Sequence, residues 1–345
     1  MSNERADVLP LLPPRLLPWY AENRRELPWR RDREPYHVWL SEIMLQQTRV
    51  EAVRDYYTRF LRALPTVAEL AAAPEDVLLK LWEGLGYYTR VRNLQKAARQ
   101  IMELHGGIFP REYDKIRALA GIGPYTAGAI ASICFEQPTP AVDGNVLRVL
   151  ARLNASAEPS DAKTAKKRTT ELEMIYPAGH CGDFTQALME LGATVCLPNG
   201  EPLCARCPLA DLCTARAEGT QRLYPVKAEK KPRRREERTV FLLQCEGKLA
   251  VCRRPERGLL AGLWQFPDVA GRLTAQEALD QAAAWGLHPV GVERAVQREH
   301  IFTHVHWLLT GYRLNCAEPT RFAWYTPTEL RETLGIPTAY RQFLE

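Results

Sequence analysis

The hydrophobic pattern of the chain changes near residue 224, and this change limits the possible folds more than any other feature. From Pro35 to about Phe135, apolar residues recur at three- and four-residue spacing, which is typical of amphipathic helices. We find no clear strand before residue 224. Beyond it, Thr239–Cys245 and Lys248–Arg253 alternate around Glu246-Gly247, which predicts a β-hairpin. The sequence therefore predicts an all-α half followed by an α+β domain.

Length, charge and cysteine usage narrow the class of protein further. The 345 residues suit two domains, and the net charge of +5 is compatible with a nucleic-acid partner without requiring one. Met1–Tyr20 is interrupted by prolines and shows no signal peptide, and no apolar run is long enough to span a bilayer. We therefore expect a cytoplasmic protein with reduced thiols and no membrane partner, and nothing demands more than a monomer.

A charged stretch, residues 227–238, separates the two patterns. It holds seven basic residues against three acidic ones. Such a run predicts an exposed linker. Contact with DNA and a solvated tether without such contact fit this composition equally well.

The segment Leu119–Gly128 places two glycines, Gly121 and Gly123, directly before Pro124. The glycines allow a sharp turn, and Pro124 suits the first turn of a helix. The free N–H groups and the positive dipole end of that helix would suit a phosphodiester. A tight turn between two helices is the alternative, but the segment resembles a helix–hairpin–helix DNA-binding motif.

Glu42 is the first of two candidate catalytic acids. It lies in a predicted helix, Tyr36–Leu61, with Trp39 and Leu45 on the same face. A buried carboxyl group without a cationic partner is pushed toward its protonated form, which suits a general acid near neutral pH. An arginine partner from elsewhere in the chain is the alternative.

Asp143 is the second candidate acid, and it precedes a predicted helix, Asn145–Leu153. Its simplest role is an N-cap that accepts backbone N–H bonds. The same bonds would keep it ionised, so that it could stabilise positive charge on a sugar as a glycosidic bond breaks. One neutral acid and one ionised acid would divide the work of glycosidic cleavage between them.

Four cysteines form a C-x7-C-x2-C-x5-C group within eighteen residues: Cys196, Cys204, Cys207 and Cys213. Such crowding in a reduced chain is a strong signal of a metal site. A [4Fe–4S] cluster and a zinc ion both take four cysteines, and the spacing alone leaves both possible.

Five motifs in one order carry a resemblance to a known family. They are Trp39–Thr48, Gly84–Tyr88, the glycine hairpin, Val142–Asn145 and the cysteine loop. From about residue 19 to its C-terminus the chain resembles the helix–hairpin–helix DNA glycosylase superfamily, and most of all the MutY-type adenine glycosylases. The resemblance implies a catalytic domain over 1–224, a basic linker over 225–237 and a Nudix-like domain over 238–345. Within the catalytic domain it implies a six-helix barrel module at about 35–137. The N-terminal segment and 138–224 would form an iron–sulfur module.

The resemblance also implies roles for individual residues. Glu42 would protonate adenine N7, and Asp143 would stabilise the oxocarbenium-like sugar through a covalent adduct, supported by Tyr125 and Asn145. The implied substrate-binding residues of the helical half are Trp29, Arg30, Leu45, Gln47, Thr48, Tyr87 and Gln186. Of these, Gln47 and Tyr87 would wedge into the duplex. Gly121, Gly123 and Tyr125 would lie against the phosphate, and the four cysteines would hold one [4Fe–4S] cluster.

Three features of the chain refine what the resemblance implies. Tyr125 occupies the hairpin position where bifunctional relatives carry the Schiff-base lysine, so a monofunctional glycosylase is expected. Phe302-Thr303-His304 matches a loop that reads 8-oxoguanine, although the family usually has serine at the middle position. The first cysteine gap holds seven residues, where the common pattern has six, and an extra residue costs little in a surface loop.

The C-terminal half supports the same family. Gly258–Pro267 resembles the signature of the recognition domain, while the Glu-rich helix of Nudix hydrolases is missing. We therefore expect excision of adenine opposite 8-oxoguanine, and more weakly opposite guanine, in double-stranded DNA. The alternatives are a glycosylase for thymine or uracil opposite guanine, a non-catalytic lesion-binding protein and a cluster-based electron carrier.

Overall fold

The computed structural model describes residues 8–226 and 232–344, which fall into two compact units. The first unit comprises residues 8–72 and 93–226, and the second comprises 73–92 and 232–344. The described residues of the helical half form α1 Leu12–Asn23, α2 Pro35–Leu45, α3 Val50–Ala63, α4 Val67–Ala72, α5 Glu75–Leu81, α6 Thr89–His105, α7 Tyr113–Arg117, α8 Pro124–Phe135, α9 Gly144–Leu153, α10 Ala162–Glu173, α11 Cys181–Thr194 and α12 Thr214–Ala217. The expected helical half is confirmed, since residues 8–226 contain no strand beyond one isolated bridge.

The predicted helix Tyr36–Leu61 is wrong at its centre, because the structure has two helices there. The first, α2, ends at Leu45, and α3 begins at Val50. Gln47 lies between them with φ of +57°, a left-handed conformation that a right-handed helix cannot continue. The break has a consequence for the site, since it places Gln47 and Thr48 in a turn directly after the buried helix that carries Glu42.

The core of the first unit fixes the start of α9. Val146 and Leu150 of α9 pack with Phe184 and Leu188 of α11, and Leu16 of α1 belongs to the same cluster. Every one of these side chains is almost fully shielded from solvent, so burying them favours this arrangement by roughly 1.5–3 kcal/mol each. The N-terminus of α9 is therefore held firmly, and with it the residue that caps it.

The larger part of the second unit, residues 232–344, is a seven-stranded mixed sheet with three helices. Its elements are β1 Arg234–Cys245, β2 Lys248–Arg253, β3 Trp264–Gln265, β4 Asp268–Ala270, α13 Ala275–Ala284, β5 Pro289–Ile301, β6 Val305–Cys316, β7 Ala323–Tyr325, α14 Pro327–Glu332 and α15 Thr338–Arg341. The strand order is β3-β2-β1-β6-β5, with β4 added to β1 and β7 added to β2. The α+β expectation and the hairpin at Glu246-Gly247 are confirmed.

Strand β1 begins earlier than the charge pattern suggested. Residues 227–231 of the predicted linker lie outside the described residues, whereas Arg234–Glu237 form the start of β1. They pair in parallel with Val305–Leu308 of β6, so their backbone groups are satisfied by the sheet. Three of these four side chains are exposed and the fourth, Glu236, is half-buried, which explains why the segment resembles a linker in the sequence.

The sequence also missed the long strand β5, which pairs antiparallel with β6 from Pro289 to Ile301. Most of its side chains remain exposed or half-buried, so it lacks the apolar alternation that marks a strand. Phe302, Thr303 and His304 form the three-residue loop between β5 and β6, closed by a bond from Phe302 N–H to the carbonyl of Val305 at 2.8 Å. The predicted strand His304–Leu314 thus begins one residue later, at Val305.

Across the described part of the chain, no helix combines the length and the apolar character needed to cross a lipid bilayer.

Candidate active site

One cavity of about 560 Å³ in the first unit gathers half of the predicted site residues, including all four predicted catalytic residues. Its lining includes the two candidate acids, Glu42 and Asp143, together with Tyr125 and Asn145. The predicted substrate-binding residues in the same lining are Trp29, Arg30, Leu45, Gln47, Thr48 and Gln186. These residues come from five separate stretches of sequence, so the fold and not their spacing brings them together.

Glu42 lies on α2, whose residues are buried on nearly every side. Its side chain is 7% exposed, and the hydroxyl of Tyr125 at the start of α8 donates a hydrogen bond to its Oε2. Burial raises the pKa of Glu42 to about 7; the Tyr125 bond and the charge of Arg30 oppose the rise, and the charge of Asp143 adds to it. A carboxyl group in this setting carries its proton at neutral pH about half the time, as a general acid requires.

Asp143 caps α9 as the sequence predicted. Its Oδ1 accepts the backbone N–H of Val146 at 2.8 Å, and its Oδ2 accepts the side-chain amide of Asn145 at 2.7 Å. Burial nevertheless raises the pKa of Asp143, because its effect exceeds that of these two hydrogen bonds. The expectation that the cap alone settles its charge was therefore incomplete, since burial works in the opposite direction.

Tyr125 and Asn145 each form a hydrogen bond with one of the two acids. Tyr125 bonds to Glu42, whereas Asn145 bonds to Asp143 and accepts a hydrogen bond from Arg148 at 2.8 Å. Burial, the largest cause, raises the pKa of Tyr125 well above its usual value, so its hydroxyl stays protonated and acts as a donor. Arg148 also donates to the carbonyl of Gly192 on α11 at 2.7 Å, which ties Asn145 to that helix.

The glycine hairpin has the shape that the sequence predicted. Gly121 has φ of +74°, and a Cβ there would lie 2.6 Å from the Cβ of Asn93, so only glycine fits. Gly123 is the N-cap of α8, with Pro124 at its first position. Both glycines are exposed, so the first N–H groups of α8 lie at the surface, while the Tyr125 side chain lines the cavity instead.

The remaining predicted recognition residues lie in the second unit, where they line a cavity of about 470 Å³. Tyr87, Phe302, Thr303 and His304 all belong to its wall, and the side-chain oxygens of Tyr87 and Thr303 are hydrogen-bonded. Tyr87 is 45% exposed and has φ of +47°. Gln47 of the first unit shares this left-handed conformation, which is uncommon outside glycine and is often found at functional sites.

The four cysteines of the C-x7-C-x2-C-x5-C group line one small cavity with Arg152. The N–H of Leu203 donates to the carbonyl of Val195 at 2.9 Å, so the long first gap closes and returns Cys204 toward Cys196. The residues between them, 198–201, are exposed, as expected for a bulge. Arg152 donates to the Sγ of Cys196 at 3.3 Å, a contact that favours a negatively charged sulfur.

The fit of these cysteines to a metal group rests on the shared cavity and on the donor set. Among residues 8–226 and 232–344, no three His, Cys, Asp or Glu side chains are arranged to hold a single metal ion. Four sulfurs around one apolar space, with a guanidinium beside one of them, nevertheless match the ligand set of an iron–sulfur cluster.

Arg25, Met189 and Glu190 are among the residues of the first unit's cavity that sequence reasoning missed. Glu190 had a signal, since it is an acid in the otherwise apolar run of α11 and lies one turn after Gln186. Arg25 had none, because it is one of several arginines in a polar stretch.

Comparisons with known proteins agree with this fold. Residues 40–174 match the family model of the HhH-GPD superfamily base excision DNA repair proteins, and residues 239–345 match that of the NUDIX domain. The human adenine DNA glycosylase is 36% identical over 395 aligned residues, covering 95% of this chain and 72% of the human protein. The adenine DNA glycosylase of Buchnera aphidicola subsp. Acyrthosiphon pisum (strain APS) is 35% identical, covering 84% of this chain and 82% of its own.

A solved structure, that of a thermostable thymine-DNA glycosylase, matches with a TM-score of 0.56 and 28% identity. The match covers 61% of this chain and all of the chain in that structure.

The matches and the site together define the class of protein. It is a helix–hairpin–helix DNA glycosylase, with a glycine hairpin before a helix, a cavity with two acids and a four-cysteine loop, and a Nudix-like domain follows. Within that class, the chain belongs to the MutY-type adenine DNA glycosylases. It is a base excision repair enzyme that acts on DNA.

Proposed function

We propose that this chain removes adenine paired with 8-oxoguanine, and more slowly adenine paired with guanine, without cutting the strand. The observation that carries the proposal is the cavity of the first unit. It places a buried, readily protonated acid, Glu42, and a capped acid, Asp143, on the walls of one space large enough for a base. A protein that only bound lesions would need neither acid.

The first step is protonation of the leaving base. With adenine swung out of the duplex into the cavity, Glu42 donates its proton to N7, and the bond between N9 and C1′ breaks with its electron pair leaving on adenine. The Tyr125 hydroxyl bonds to Oε2 of Glu42, so it fixes the direction of the carboxyl group. Trp29 and Leu45 supply apolar walls for the purine, and Gln186 supplies an amide for its polar edge.

The second step falls to Asp143. Its ionised form stabilises the oxocarbenium-like sugar and bonds to C1′, and water then displaces it so that the configuration at C1′ is retained. Glu42, left as the carboxylate, takes the proton of that water. Asn145 holds Oδ2 of Asp143 at 2.7 Å and so keeps the attacking carboxylate oriented. Because Tyr125 offers no amine, no imine forms and the strand stays whole.

Recognition of the partner base belongs, in this proposal, to the second unit. Tyr87 and the loop Phe302-Thr303-His304 line its cavity, where aromatic rings and a hydroxyl group are available to a purine. Gln47 and Tyr87 are the wedge residues. Both have a left-handed backbone and lie exposed at the surface.

The cysteine loop would hold a [4Fe–4S] cluster through Cys196, Cys204, Cys207 and Cys213. Bound there, the cluster supplies four iron–thiolate bonds that cross-link the loop after α11. Arg148 and Arg152 of α9 bond to the carbonyls of Cys196 and Leu197 at 2.8 Å each, so this chain's own residues connect the loop to the helix that Asp143 caps.

A panel of duplexes tests the proposal under single-turnover conditions, with enzyme in excess. The duplexes pair adenine with 8-oxoguanine, guanine or thymine, and pair thymine or uracil with guanine. We expect adenine release that is fastest opposite 8-oxoguanine and an uncut strand until alkali is added. Release of thymine or uracil in preference to adenine would contradict the proposal, as would strand cleavage without alkali.

A further inference from the structure

A buried cluster of charges forms one wall of the catalytic cavity, and its acid is Glu190 of α11. The Glu190 side chain is fully shielded from solvent. Its Oε1 accepts the backbone N–H and the Nε of Arg25 at 2.9 and 2.8 Å, and its Oε2 accepts Nη2 of Arg25 and Nη2 of Arg30, both at 2.8 Å. Four donors meet two carboxylate oxygens, so the hydrogen-bonding capacity of Glu190 is used up within the cluster.

The cluster stays charged throughout the pH range of an enzyme assay. Burial on its own would raise the pKa of Glu190, but the hydrogen bonds from Arg25 and Arg30 outweigh it and lower the pKa to about 2. Two guanidinium groups and one carboxylate leave a single net positive charge at the cavity wall. Both carboxylate oxygens of Glu190 are occupied by Arg25 and Arg30, so Glu190 is placed to hold these two arginines.

Arg30 connects this cluster to the catalytic acid. The groups that act on Glu42 come from three elements: Tyr125 from α8, Asp143 ahead of α9, and Arg30 from the short 3₁₀ helix Pro28–Arg30. Arg30 is the cation of this set and favours ionised Glu42, whereas Asp143 opposes it. The position and the effective charge of Arg30 therefore affect how readily Glu42 holds the proton that it must deliver.

We propose that Glu190 is a positioning residue for adenine excision: its carboxylate holds Arg25 and Arg30 in the cavity wall and offsets part of their charge, so that these two cations favour ionisation of Glu42 less strongly. The inference rests on the proposed function for its meaning, because a proton on Glu42 matters only if Glu42 is the general acid. The electrostatic coupling between Glu190 and Glu42, however, can be measured without DNA.

The test is a titration of the Glu42 carboxyl by NMR in full-length protein labelled with ¹³C at glutamate side chains. The resonance that is missing in Glu42→Gln identifies Glu42. In Glu190→Gln the charge of Arg30 and Arg25 is no longer offset, so the Glu42 midpoint is expected to fall by about one pH unit. Glu190→Asp keeps the charge, so it is expected to restore the midpoint even where its shorter side chain disturbs the hydrogen bonds.

Two further variants control for misfolding and for ordinary loss of an ion pair. Arg25→Gln removes a cation instead of an anion, so it is expected to move the Glu42 midpoint upward, the opposite direction. Glu158→Gln is the matched control, because Glu158 also accepts from two cations of the same unit, Lys167 and Arg168, and is not among the residues that line the cavity. In Glu158→Gln the midpoint of the Glu42 titration is expected to match that of the wild type.

Single-turnover excision in the same set of variants separates this inference from the proposed function. In Glu190→Gln the fall in rate at high pH should begin about one pH unit lower than in the wild type. At a pH above the wild-type midpoint, the variant's rate should therefore be about tenfold lower than that of the wild type. An unchanged Glu42 titration in both Glu190→Gln and Arg25→Gln would overturn the inference, whatever the enzyme's activity. A shifted titration in a protein that releases no adenine would instead leave the coupling standing and overturn the proposed function.

Discussion

The two cavities of the molecule differ in the chemistry of their walls. The cavity of the first unit, about 560 Å³, is lined by three carboxyl groups, Glu42, Asp143 and Glu190, and by two arginines. The cavity of the second unit, about 470 Å³, has no carboxylate among the described residues that line it, and it offers hydroxyls, aromatic rings and histidines. One of them, His300, has a pKa lowered by burial, so its imidazole is neutral at physiological pH.

This difference suits the separate tasks that we propose for the two cavities. Breaking a glycosidic bond requires groups that give and take protons and charge, and such groups shift their pKa values when they are buried together. Reading a partner base requires hydrogen bonds and ring stacking, which neutral groups supply. Variants of the first cavity should therefore abolish the chemical step, and variants of the second should change only the preference for 8-oxoguanine.

The largest effect is expected from the two candidate acids. Glu42→Gln removes the proton donor and should lower single-turnover excision opposite 8-oxoguanine by about 10²–10⁴-fold. Asp143→Asn removes the charge that stabilises the sugar cation and should cost at least as much. Both variants should still bind the duplex in a gel-shift assay. The half-buried ion-pair residue Glu158, changed to glutamine, is the control and should keep the wild-type rate. Appreciable excision by Glu42→Gln would exclude Glu42 as the acid.

A smaller effect is expected where α11 approaches the second acid. A Cβ at Gly192 would lie 2.5 Å from the Cβ of Asn145, so Gly192→Ala should displace Asn145 and the Asp143 carboxylate that it orients. A misplacement of a reacting group by about 1 Å can lower the rate by about 10²-fold. Gly182→Ala is the matched variant on the same helix, where the new Cβ would lie 2.9 Å from the Cα of Ile133.

Both glycine variants should lower the melting temperature, but only Gly192→Ala should lose most of its excision rate at a temperature where both are folded. If the two variants lose equal activity, close packing of α11 matters only for stability, and Asn145 has no orienting role.

The smallest effect is expected in the second cavity. Thr303→Ala removes a hydroxyl that is hydrogen-bonded to Tyr87, and one such bond typically contributes about 1 kcal/mol. The excision rate opposite 8-oxoguanine at limiting enzyme should fall about fivefold, while the rate opposite guanine stays constant. Thr303→Ser keeps the hydroxyl and should restore the preference. An equal loss on both duplexes would assign Thr303 a structural role and would break the comparison between the cavities.

Several residues of the first unit's cavity could be predicted from sequence motifs. Glu42, Asp143 and the glycine hairpin each have local neighbours that mark them, and the fold brings Glu42 and Asp143 to one cavity. The cap at Asp143 was predictable because N-capping depends on the adjacent backbone alone. The rise in its pKa was not, since burial depends on residues distant in sequence.

Other features depended on tertiary contacts and were hidden for that reason. The turn at Gln47 has no glycine or proline to mark it. Strand β5 lacks apolar alternation, and β1 pairs in parallel with a strand some seventy residues later, which local patterns cannot show. Glu190 is visible as an acid in an apolar helix, but its two arginine partners come from the loop after α1 and a 3₁₀ helix that periodicity does not reveal.

The most direct test of the account is the pH dependence of single-turnover excision by the wild type, measured on adenine opposite 8-oxoguanine and opposite guanine in parallel. The pKa of Glu42 is raised to about 7 and its proton is needed, so the rate should fall as the pH rises through that value. Asp143 must be ionised and its pKa is also raised, so the rate should fall again at acid pH. The account predicts the same midpoints on both duplexes and different plateau rates. A rate that stays level through neutral and alkaline pH, or midpoints that change with the partner base, would contradict it.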